Sequence, residues 1–209
     1  MHYCYINKID NHSFYEYLNL LPEFMRGEIL RYKRNDDRKA RLISKLLLLY
    51  NLKTENKSEL IYNYKKDIYN KPYIPGWDHF NVSHSEQLVV FCKNKLRIGI
   101  DIEKKNNISP ADFIAHFHIE EQNYIMNSKD LKDDFFYIWS RKESFFKAIG
   151  IGLTVDISMH NSLNKEIIYD GEKWNYEPIY IDNDYKCTIC SLKKENEEII
   201  EFDPNILFT

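Results

Sequence analysis

Three acidic residues and a lysine have types and spacings that could serve a metal–phosphate reaction. In 98-IGIDIE-103 the isoleucines alternate with Gly99, Asp101 and Glu103, and this period of two predicts a strand with two different faces. On such a strand the two carboxylates lie on the same side, about 7 Å apart. Neighbouring carboxylates repel each other, and a bound cation removes that repulsion. Carboxylate oxygens favour Mg²⁺ or Mn²⁺ over zinc, so the segment indicates a divalent-metal site.

Gly99 lies on the same predicted face as the two acids. Because glycine lacks a side chain, we expect a large ligand to approach the strand backbone at this position. From this segment alone, the plainer alternative is an exposed strand edge that carries two solvated acids.

A second segment, 138-IWSRKESFFKAIGIGL-153, sets an acid and a base among bulky apolar residues. As a helix it would align Glu143 with Trp139 and Phe146, and Lys147 would follow one turn later. An exposed Glu–Lys pair at this spacing contributes only about 0.2–0.5 kcal/mol, and it predicts polar rather than aromatic neighbours. We therefore expect Glu143 to join the strand acids as a third metal ligand and Lys147 to face a phosphate.

A third segment, 80-FNVSHSEQ-87, clusters small polar groups around an imidazole. The hydroxyl of Ser83 and the ring of His84 could both form hydrogen bonds with phosphate oxygens. A lone histidine is more often structural, but the neighbouring Asn81 and Ser85 favour a binding role here.

Positive charge is concentrated in 31-RYKRNDDRKAR-41, which ends at Arg41 and is interrupted by two aspartates. The whole chain has a formal net charge of −3, so we expect no nucleic-acid surface and only a local basic patch for phosphate. A solvated helix face is the alternative for this segment.

The sequence indicates a protein of the reducing cytoplasm without a membrane anchor. The N-terminus lacks a cationic region followed by an apolar one, and the longest aliphatic run, 46-LLLL-49, is too short to span a bilayer. Cys187 and Cys190 form a single CxxC in a predicted strand, where positions three apart face opposite sides. We therefore predict ordinary thiols rather than a zinc site.

The elements that must position these residues follow from periodicity and turn residues. The first half predicts a strand at 2–9, a helical region over 14–52, a short strand at 60–66, and a hairpin of strands 87–92 and 96–103. The last of these strands carries the two neighbouring acids.

The second half predicts a helix with Ser109 as its N-cap, and a longer helix over about 133–149 that ends at Gly150. Four strand-like segments follow, at 166–170, 177–181, 185–192 and 198–202. Each half combines helices with strands, and no flexible linker separates them. We predict an α+β protein of two abutting α/β lobes, residues 1–100 and 101–209.

Four motifs in collinear order resemble those of the 4′-phosphopantetheinyl transferases of the double-length, surfactin-synthetase-activating type. The strand 99-GIDIE-103 matches the G-x-D strand of that family, and 139-WSRKESFFK-147 matches its W-x-x-K-E-S-x-x-K helix. Upstream, 71-KPYIP-75 stands in the position of the G-K-P motif, and 80-FNVSHS-85 matches F-N-x-S-H-S. The resemblance runs from about residue 22 to residue 153.

The resemblance implies a fold of two similar lobes, a pseudo-dimer of the short trimeric holo-acyl-carrier-protein synthase unit. Coenzyme A would bind in the cleft between these lobes. The family pattern assigns residues of this chain to the metal (Asp101, Glu103, Glu143), to coenzyme A (Lys71, Ser83, His84, Lys147) and to catalysis (Glu143, Lys147).

Two departures from the family pattern concern the coenzyme A site. Family members often carry lysines in the first helical region that hold the 3′-phosphate, and this chain has Met25 and Glu28 at those places. Arg26 or Arg41 is expected to replace them. Asn70 stands in place of the glycine of the G-K-P motif, and asparagine tolerates the left-handed backbone that this loop needs.

The implied reaction is attack by a carrier-protein serine hydroxyl on the pantetheine-side phosphorus of coenzyme A, with release of 3′,5′-ADP. Phosphoryl transfer depends mainly on charge neutralisation and alignment. By this resemblance the metal stabilises the leaving group, and Lys147 and His84 contact the phosphates. Glu143, directly or through a metal-bound water, is the predicted acceptor of the serine proton.

Two other functions stay open at this point. Three carboxylates and a lysine could equally activate water in a metal-dependent phosphohydrolase that cleaves a diphosphate resembling coenzyme A. Such a hydrolase would release phosphopantetheine without any carrier protein. The second alternative is a non-catalytic module that binds coenzyme A or a carrier protein. In that case Asp101→Ala would leave the biological output unchanged.

The predicted partner is an acyl or peptidyl carrier protein that docks through hydrophobic contacts around the cleft. Phe113, Phe117 and Tyr124 are candidates for this surface, and core packing is the alternative for each of them. By the same resemblance, the double length indicates a monomer of the broad-range, secondary-metabolism type. The sequence does not identify which carrier or pathway is served.

Overall fold

The computed structural model describes residues 1–106, 110–152, 156–194 and 198–208. Within these ranges the chain is a mixed α/β protein that contains two four-stranded sheets and a two-stranded ladder. The predicted N-cap Ser109 lies outside the described residues. In the described part of the chain, no helix is both long and apolar enough to cross a membrane.

Most of the helices lie in two groups, one before and one after the central strands. The α-helices of the described residues are α1 (Phe14–Asn19), α2 (Glu23–Leu30), α3 (Asn35–Thr54), α4 (Ala111–Ile114), α5 (Ile119–Met126) and α6 (Leu131–Ile149). The strands are β1 (His2–Tyr5), β2 (Lys65–Lys66), β3 (Pro72–Tyr73), β4 (His79–Ser85), β5 (Leu88–Asn94), β6 (Ile98–Lys104), β7 (Glu166–Tyr169), β8 (Glu172–Ile179), β9 (Tyr185–Ser191) and β10 (Ile200–Glu201).

The first sheet has the strand order β10-β1-β5-β4, and helix α3 packs against β5. The leucines predicted at helical spacing, Leu42, Leu46 and Leu49, are all buried in the core that α3 shares with this sheet. Burial of this stripe accounts for the long helix, because tertiary packing rather than intrinsic propensity stabilises most helices in proteins.

Two predicted strands of the first half are shorter in the structure. The strand predicted at 2–9 ends at Tyr5, and residues 6–8 continue as a 3₁₀ helix. The segment predicted as a strand at 60–66 is a 3₁₀ helix over Ser58–Asn63 followed by the short strand β2. Its apolar residue Ile61 is buried in the core of the first sheet, which a helical turn achieves as well as a strand.

The predicted hairpin between 87–92 and 96–103 is wrong. Strand β5 instead pairs with β4 through a tight turn at Glu86, whose φ is 50°, and β6 pairs with β9 in the second sheet, of order β6-β9-β8-β7. Leu88, Val90 and Cys92 of β5 belong to one buried cluster with the isoleucines of β6, whereas the alternate residues of β5 belong to the core shared with α3. The two strands therefore share a core through their side chains, and their backbones bond to different neighbours.

Side chains of β4 connect the two sheets. Three of them accept hydrogen bonds from backbone amides of β6: Asn81 Oδ1 from Ile100 N at 2.9 Å, Ser83 Oγ from Ile102 N at 3.4 Å, and Ser85 Oγ from Lys104 N at 3.1 Å. Alternate residues of one strand thus meet alternate amides of the other. This inter-sheet contact fixes the register of β4 against the strand that carries the predicted metal ligands.

Gly99 is covered by helix α6 rather than left open. An ideal Cβ at this position would lie 2.1 Å from Ser144 O and 2.3 Å from Ala148 N. The expectation that a ligand approaches the backbone at Gly99 is therefore wrong, because the helix backbone takes that space. Small residues on α6 make the close approach possible, and one of them, Ser140, is hydrogen-bonded to Thr188 of β9 at 2.9 Å.

The C-terminal end of α6 agrees with its prediction. The helix ends at Ile149, and Gly150 has a left-handed φ of 81°. Glycine adopts this conformation without the steric cost that a Cβ imposes, which is why it follows the last turn of many helices.

The two sheets do not divide the chain at a single point. The predicted division at residue 100 falls inside β6, which belongs to the second sheet along its whole length. The chain end then returns to the first sheet, where β10 pairs in parallel with β1 and Phe202 is buried. All four cysteines lie within the described part of the chain and are buried thiols.

Candidate active site

The structure brings Asp101, Lys147 and Ser83 together from three different elements. Asp101 is 2% exposed, and its Oδ1 accepts hydrogen bonds from Lys147 Nζ at 2.6 Å and from Ser83 Oγ at 3.0 Å. Lys147 Nζ also donates to Ser83 Oγ at 2.9 Å. Burial opposes the charge of Lys147, but the carboxylates of Asp101, Glu143 and Glu103 outweigh it and raise the pKa of the lysine. The ammonium group is therefore charged at neutral pH.

Glu103 lies beside this cluster and is held at both of its oxygens. Ser85 Oγ donates to Oε2 at 3.0 Å, and Trp139 Nε1 donates to Oε1 at 3.2 Å. Burial, reinforced by the charge of Asp101, raises the pKa of Glu103 to about 7. The sequence places Trp139 in an apolar stripe and at the start of the family helix motif, but neither pattern indicates that its indole N–H orients this carboxylate.

Glu143 lies half-buried on α6, one turn before Lys147. Burial raises the pKa of Glu143 to about 6, against the opposing charge of Lys147 and with a further increase from Asp101. A carboxylate whose pKa lies near neutrality is ionised at physiological pH and still basic enough to accept a proton. The predicted role of Glu143 as a base is chemically consistent with this environment.

The three predicted metal ligands do not form a ready-made cage. Among the residues that the structure describes, no group of three His, Cys, Asp or Glu side chains is placed to hold an ion. The chemistry of the donors nevertheless fits a hard divalent cation. Within the same residues, Asp101 Oδ2 is buried without a hydrogen-bond partner, and the neighbouring Glu103 is repelled by the same carboxylate. Both features are those that a bound cation relieves.

A cleft of about 670 Å³ lies between helices α2 and α3 and strand β4. Four cationic side chains line it, with a single acid: Arg31, Arg41, Lys45, Lys66 and Glu28. Glu28 is bonded to Lys66 at 2.9 Å, so three basic side chains, Arg31, Arg41 and Lys45, are left without a carboxylate in the lining. Of the two arginines expected to replace the family lysines, Arg41 lines this cleft, whereas Arg26 donates to Leu21 O at 2.6 Å.

His84 lines the cleft next to Ser83 on β4. Burial, together with the charges of Arg41 and Lys147, lowers the pKa of His84 to about 4. The ring is therefore neutral at physiological pH. A phosphate beside it would receive a hydrogen bond from this ring but no positive charge.

Lys45 and Tyr64 lie against each other in the lining of the cleft. Lys45 Nζ lies 3.7 Å from the centre of the Tyr64 ring, and burial lowers the pKa of this lysine to about 7. Lysine side chains with a strongly lowered pKa in a cleft are more common at functional sites than elsewhere. No sequence signal identified Lys66, whose position in the cleft depends on the fold of the short β2–β3 ladder.

Lys71 is placed differently from the other predicted coenzyme A ligands. Its neighbours Asn70 and Pro72 line the cleft, but the Lys71 ammonium group donates to backbone carbonyls at the end of α6. Asn70 has a left-handed φ of 63°, as predicted for the residue in place of the family glycine.

The motif lysine Lys142 is part of a buried ion pair with Glu121 at 2.7 Å. Its ammonium group also donates to Ile157 O at 2.7 Å and His160 O at 2.6 Å. Because every donor of the ammonium group has a partner, the buried charge is compensated. This pair fixes α5 and the 157–160 segment against the helix that carries Glu143.

Two of the three aromatic residues predicted to dock a partner are accessible. Phe113 and Tyr124 are each 42% exposed. Phe117 is 1% exposed and stacks on Trp139 and Phe135, so core packing is its role.

Comparisons with known proteins place similar chains among the 4′-phosphopantetheinyl transferases. The family model of the 4′-phosphopantetheinyl transferase superfamily matches residues 97–191. The 4′-phosphopantetheinyl transferase gsp of Aneurinibacillus migulanus is 30% identical over 199 residues, which cover 89% of this chain and 82% of that protein. The 4′-phosphopantetheinyl transferase Sfp of Bacillus subtilis is 29% identical over 212 residues, which cover 93% and 91% of the two chains.

More distant relatives extend the comparison. The L-aminoadipate-semialdehyde dehydrogenase-phosphopantetheinyl transferase of Candida glabrata is 27% identical over 164 residues, 73% of this chain and 63% of that protein. The solved holo-[acyl-carrier-protein] synthase of Thermotoga maritima aligns with 48% of this chain and 64% of its own, at 16% identity and a TM-score of 0.37. A TM-score of 0.37 is too low to support any conclusion about this chain.

Proposed function

This chain belongs to the 4′-phosphopantetheinyl transferase superfamily, and from that premise we propose how its site transfers phosphopantetheine from coenzyme A to a carrier-protein serine. The observation that carries the proposal is the contact of Lys147 with Asp101 and Ser83 beside a basic cleft. The link between the two is His84, which lines the cleft, follows Ser83 on β4 and lies within reach of the charge of Lys147. A diphosphate that extends from the cleft past His84 would meet the charged donor and the acids of this cluster.

The cleft is the proposed seat of the nucleotide end of coenzyme A. Its volume of about 670 Å³ lies within the range of small-molecule sites, and its aromatic and apolar lining suits a purine ring. Arg41 and Lys45 offer positive charge to the 3′-phosphate, and they take the place of the family lysines whose positions are Met25 and Glu28 here. His84 offers a hydrogen bond at the side nearest to Lys147.

We propose that Asp101, Glu103 and Glu143 hold a divalent cation, Mg²⁺ or Mn²⁺. When bound, the cation supplies positive charge that neutralises the diphosphate and the departing 3′,5′-ADP. Asp101 offers its unpartnered Oδ2, while Ser85 and the indole of Trp139 keep the carboxylate of Glu103 in a fixed orientation.

The side chains of this chain account for the remaining requirements of the reaction. Glu143 accepts the proton of the carrier-protein serine as the serine oxygen forms its bond to the pantetheine-side phosphorus. The bond from that phosphorus to the bridging oxygen breaks, and 3′,5′-ADP leaves with the bonding electrons. Lys147 donates hydrogen bonds to the phosphate oxygens, where a charged donor is stronger than a neutral one.

A mass spectrum of apo carrier proteins tests the proposal. After incubation with the enzyme, Mg²⁺ and coenzyme A, at least one carrier is expected to gain the mass of phosphopantetheine on a serine. A parallel reaction without carrier is expected to leave coenzyme A intact. Release of free phosphopantetheine in that reaction would instead identify a phosphohydrolase, and no change in either reaction would leave only a binding module.

The proposal also covers the lobe architecture, the oligomeric state and the location of the protein. The arrangement of one long helix against each sheet, α3 on the first and α6 on the second, supports a pseudo-dimer of two related lobes. We propose that the chain acts as a monomer in the cytoplasm, where its buried cysteines remain thiols. Phe113 and Tyr124 are the accessible aromatic residues for docking a carrier protein.

Replacing Lys45 by methionine is expected to stabilise the ligand-free protein and to weaken coenzyme A binding by about 10–100-fold. Burial lowers the pKa of Lys45 from 10.5 to about 7, so below pH 7 the folded protein bears the full cost of a desolvated ammonium group. Between pH 7 and 10.5 the folded protein holds the neutral amine while the unfolded chain is still protonated, so this cost falls steadily as the pH rises and ends near pH 10.5. The gain in melting temperature should therefore be largest below pH 7 and vanish towards pH 10.5.

Thermal melting across this pH range and calorimetric titration with coenzyme A measure the two effects. Lys39→Met, on the same helix but outside the cleft lining, is the matched control and should change neither quantity. A Lys45→Met protein that binds coenzyme A as tightly as the wild type would remove this lysine from the proposed site.

A further inference from the structure

Lys71 lies next to the cleft, but its side chain points to the other side of the backbone. Asn70 and Pro72 line the cleft, and Lys71 is absent from that lining. Lys71 instead lines a second cavity of about 510 Å³ together with Ala148 and Gly150, the residues at the end of α6. The positively charged end of this side chain is thus directed at a helix terminus rather than at the proposed coenzyme A seat.

The ammonium group of Lys71 is saturated by backbone carbonyls. It donates to Lys147 O at 2.5 Å, to Ala148 O at 2.9 Å and to Ile98 O at 3.4 Å. The carbonyls of the last helical turn have no partner within the helix, and a cation at this end also complements the helix dipole. An ammonium group has three donors, so these three acceptors use all of them.

The three contacts join the elements that build the catalytic cluster. Ile98 is the first residue of β6, which carries Asp101 three residues later. Lys147 belongs to the last turn of α6, and its own side chain reaches Asp101. The Lys71 ammonium group therefore connects the end of α6 to the start of β6.

We propose that Lys71 is a positioning residue, which locks the end of α6 onto the start of β6 and thereby sets Lys147 and Glu143 against Asp101. The effect of Lys71 on turnover rests on the proposed function, whereas its effect on the stability of the ligand-free protein does not. This role differs from the direct contact with coenzyme A that the resemblance implies for Lys71.

The surroundings of Lys71 support a fixed side chain. Its backbone N–H donates to Asp67 Oδ1 at 2.8 Å, as does the N–H of Tyr69 at 2.9 Å, so the loop before the lysine is held in one shape. A Cβ at Gly150 would lie 3.3 Å from Lys71 Cδ, so the glycine leaves room for the aliphatic stem. Burial lowers the pKa of Lys71 to about 8, as expected of an ammonium group surrounded by protein.

Two lysine variants separate positioning from ligand binding. Lys71→Met removes the donors and keeps the aliphatic stem, and Lys66→Met removes a cation that lines the cleft. For Lys71→Met we expect the ligand-free protein to melt about 4–8 °C lower and kcat to fall about 10–100-fold, with KM for coenzyme A changed less than threefold. For Lys66→Met we expect a higher KM for coenzyme A without the loss of kcat. Lys65→Met, at an exposed position, is the control and should match the wild type.

The measurements are thermal melting without ligand and steady-state kinetics with coenzyme A and an apo carrier. A Lys71→Met protein with normal melting and kcat but a raised KM would overturn the proposal and return Lys71 to coenzyme A. If Lys71→Met does not fold, Lys71→Gln decides, because its shorter amide keeps part of the donors and should lower kcat by a smaller factor at unchanged KM. A wild-type enzyme that transfers nothing would contradict the proposed function, while the melting data would still decide the structural role.

Discussion

The Glu143→Gln enzyme is expected to lose about 10²–10⁴-fold in kcat, the usual contribution of a general base. Glutamine has the same size as glutamate but can neither accept the serine proton nor carry the charge that a cation needs. Burial holds the pKa of Glu143 near 6, so the wild-type side chain is ionised at neutral pH and suited to proton transfer. Neighbouring groups remain in place, because the contact of Lys147 with Asp101 does not involve Glu143.

Steady-state transfer to an apo carrier protein measures this effect, and calorimetric titration with Mg²⁺ and with coenzyme A separates its two causes. A loss of Mg²⁺ binding assigns Glu143 to the metal, and a loss of kcat at full Mg²⁺ occupancy assigns it to proton transfer. Glu59→Gln, at an exposed position, is the isosteric control. A Glu143→Gln protein that binds both ligands normally and retains full turnover would exclude both roles.

The Gly99→Ala protein is expected to be less stable by about 3 kcal/mol or more, at the upper end of what overpacking costs. The added Cβ would lie 2.1 Å from Ser144 O and 2.3 Å from Ala148 N, and both are backbone atoms that no rotamer change can move. Helix α6 must therefore shift away from β6. Because Lys147 and Glu143 lie on this helix, we also expect turnover to fall about 100-fold or more, the scale of a 1 Å misplacement.

Thermal melting and transfer kinetics on the same preparation test this prediction, and the melting temperature should fall by about 6–12 °C for a chain of this size. Gly27→Ala is the matched control. Gly27 lies inside α2, and an added Cβ there would have no atom of the described residues within 4 Å beyond its own helix backbone and chain neighbours. Alanine at this position should therefore be neutral or stabilising by up to about 1 kcal/mol. A Gly99→Ala enzyme with wild-type melting and turnover would show that the close packing of α6 on β6 is not required.

Both predictions concern the packing of helix α6 against strand β6. The close approach at Gly99 brings α6 near enough for Lys147 to reach Asp101, and the serines of β4 hold the acids of β6. Ser83 and Ser85 each donate to an acid and accept from a backbone amide, so neither hydroxyl is free to rotate. The site is therefore built at the contact between the sheets rather than within either of them.

Local features of the structure were predictable because short patterns encode local geometry. The alternation in 98–103 indicated the strand that carries Asp101, and the leucine spacing indicated helix α3. Gly150 and Asn70 were identified as left-handed positions from residue type, since few residues tolerate a positive φ. The collinear motifs also selected the residues that the fold gathers around Lys147.

Which distant segments meet was decided only by the tertiary structure. The alternating pattern of β6 is the same whether its neighbour is β5 or β9, so the wrong hairpin was predicted from strands that are adjacent in sequence. A glycine on a strand face indicates a close approach, but it does not say whether a ligand or a helix makes it, and at Gly99 it is α6. Lys71 likewise carries its charge in any fold, and only the position of the α6 terminus determines that the charge meets carbonyls instead of phosphate. Residue type and periodicity determine which side chains each segment carries on which face. Burial of apolar surface between segments that are distant in sequence determines which other segment that face contacts.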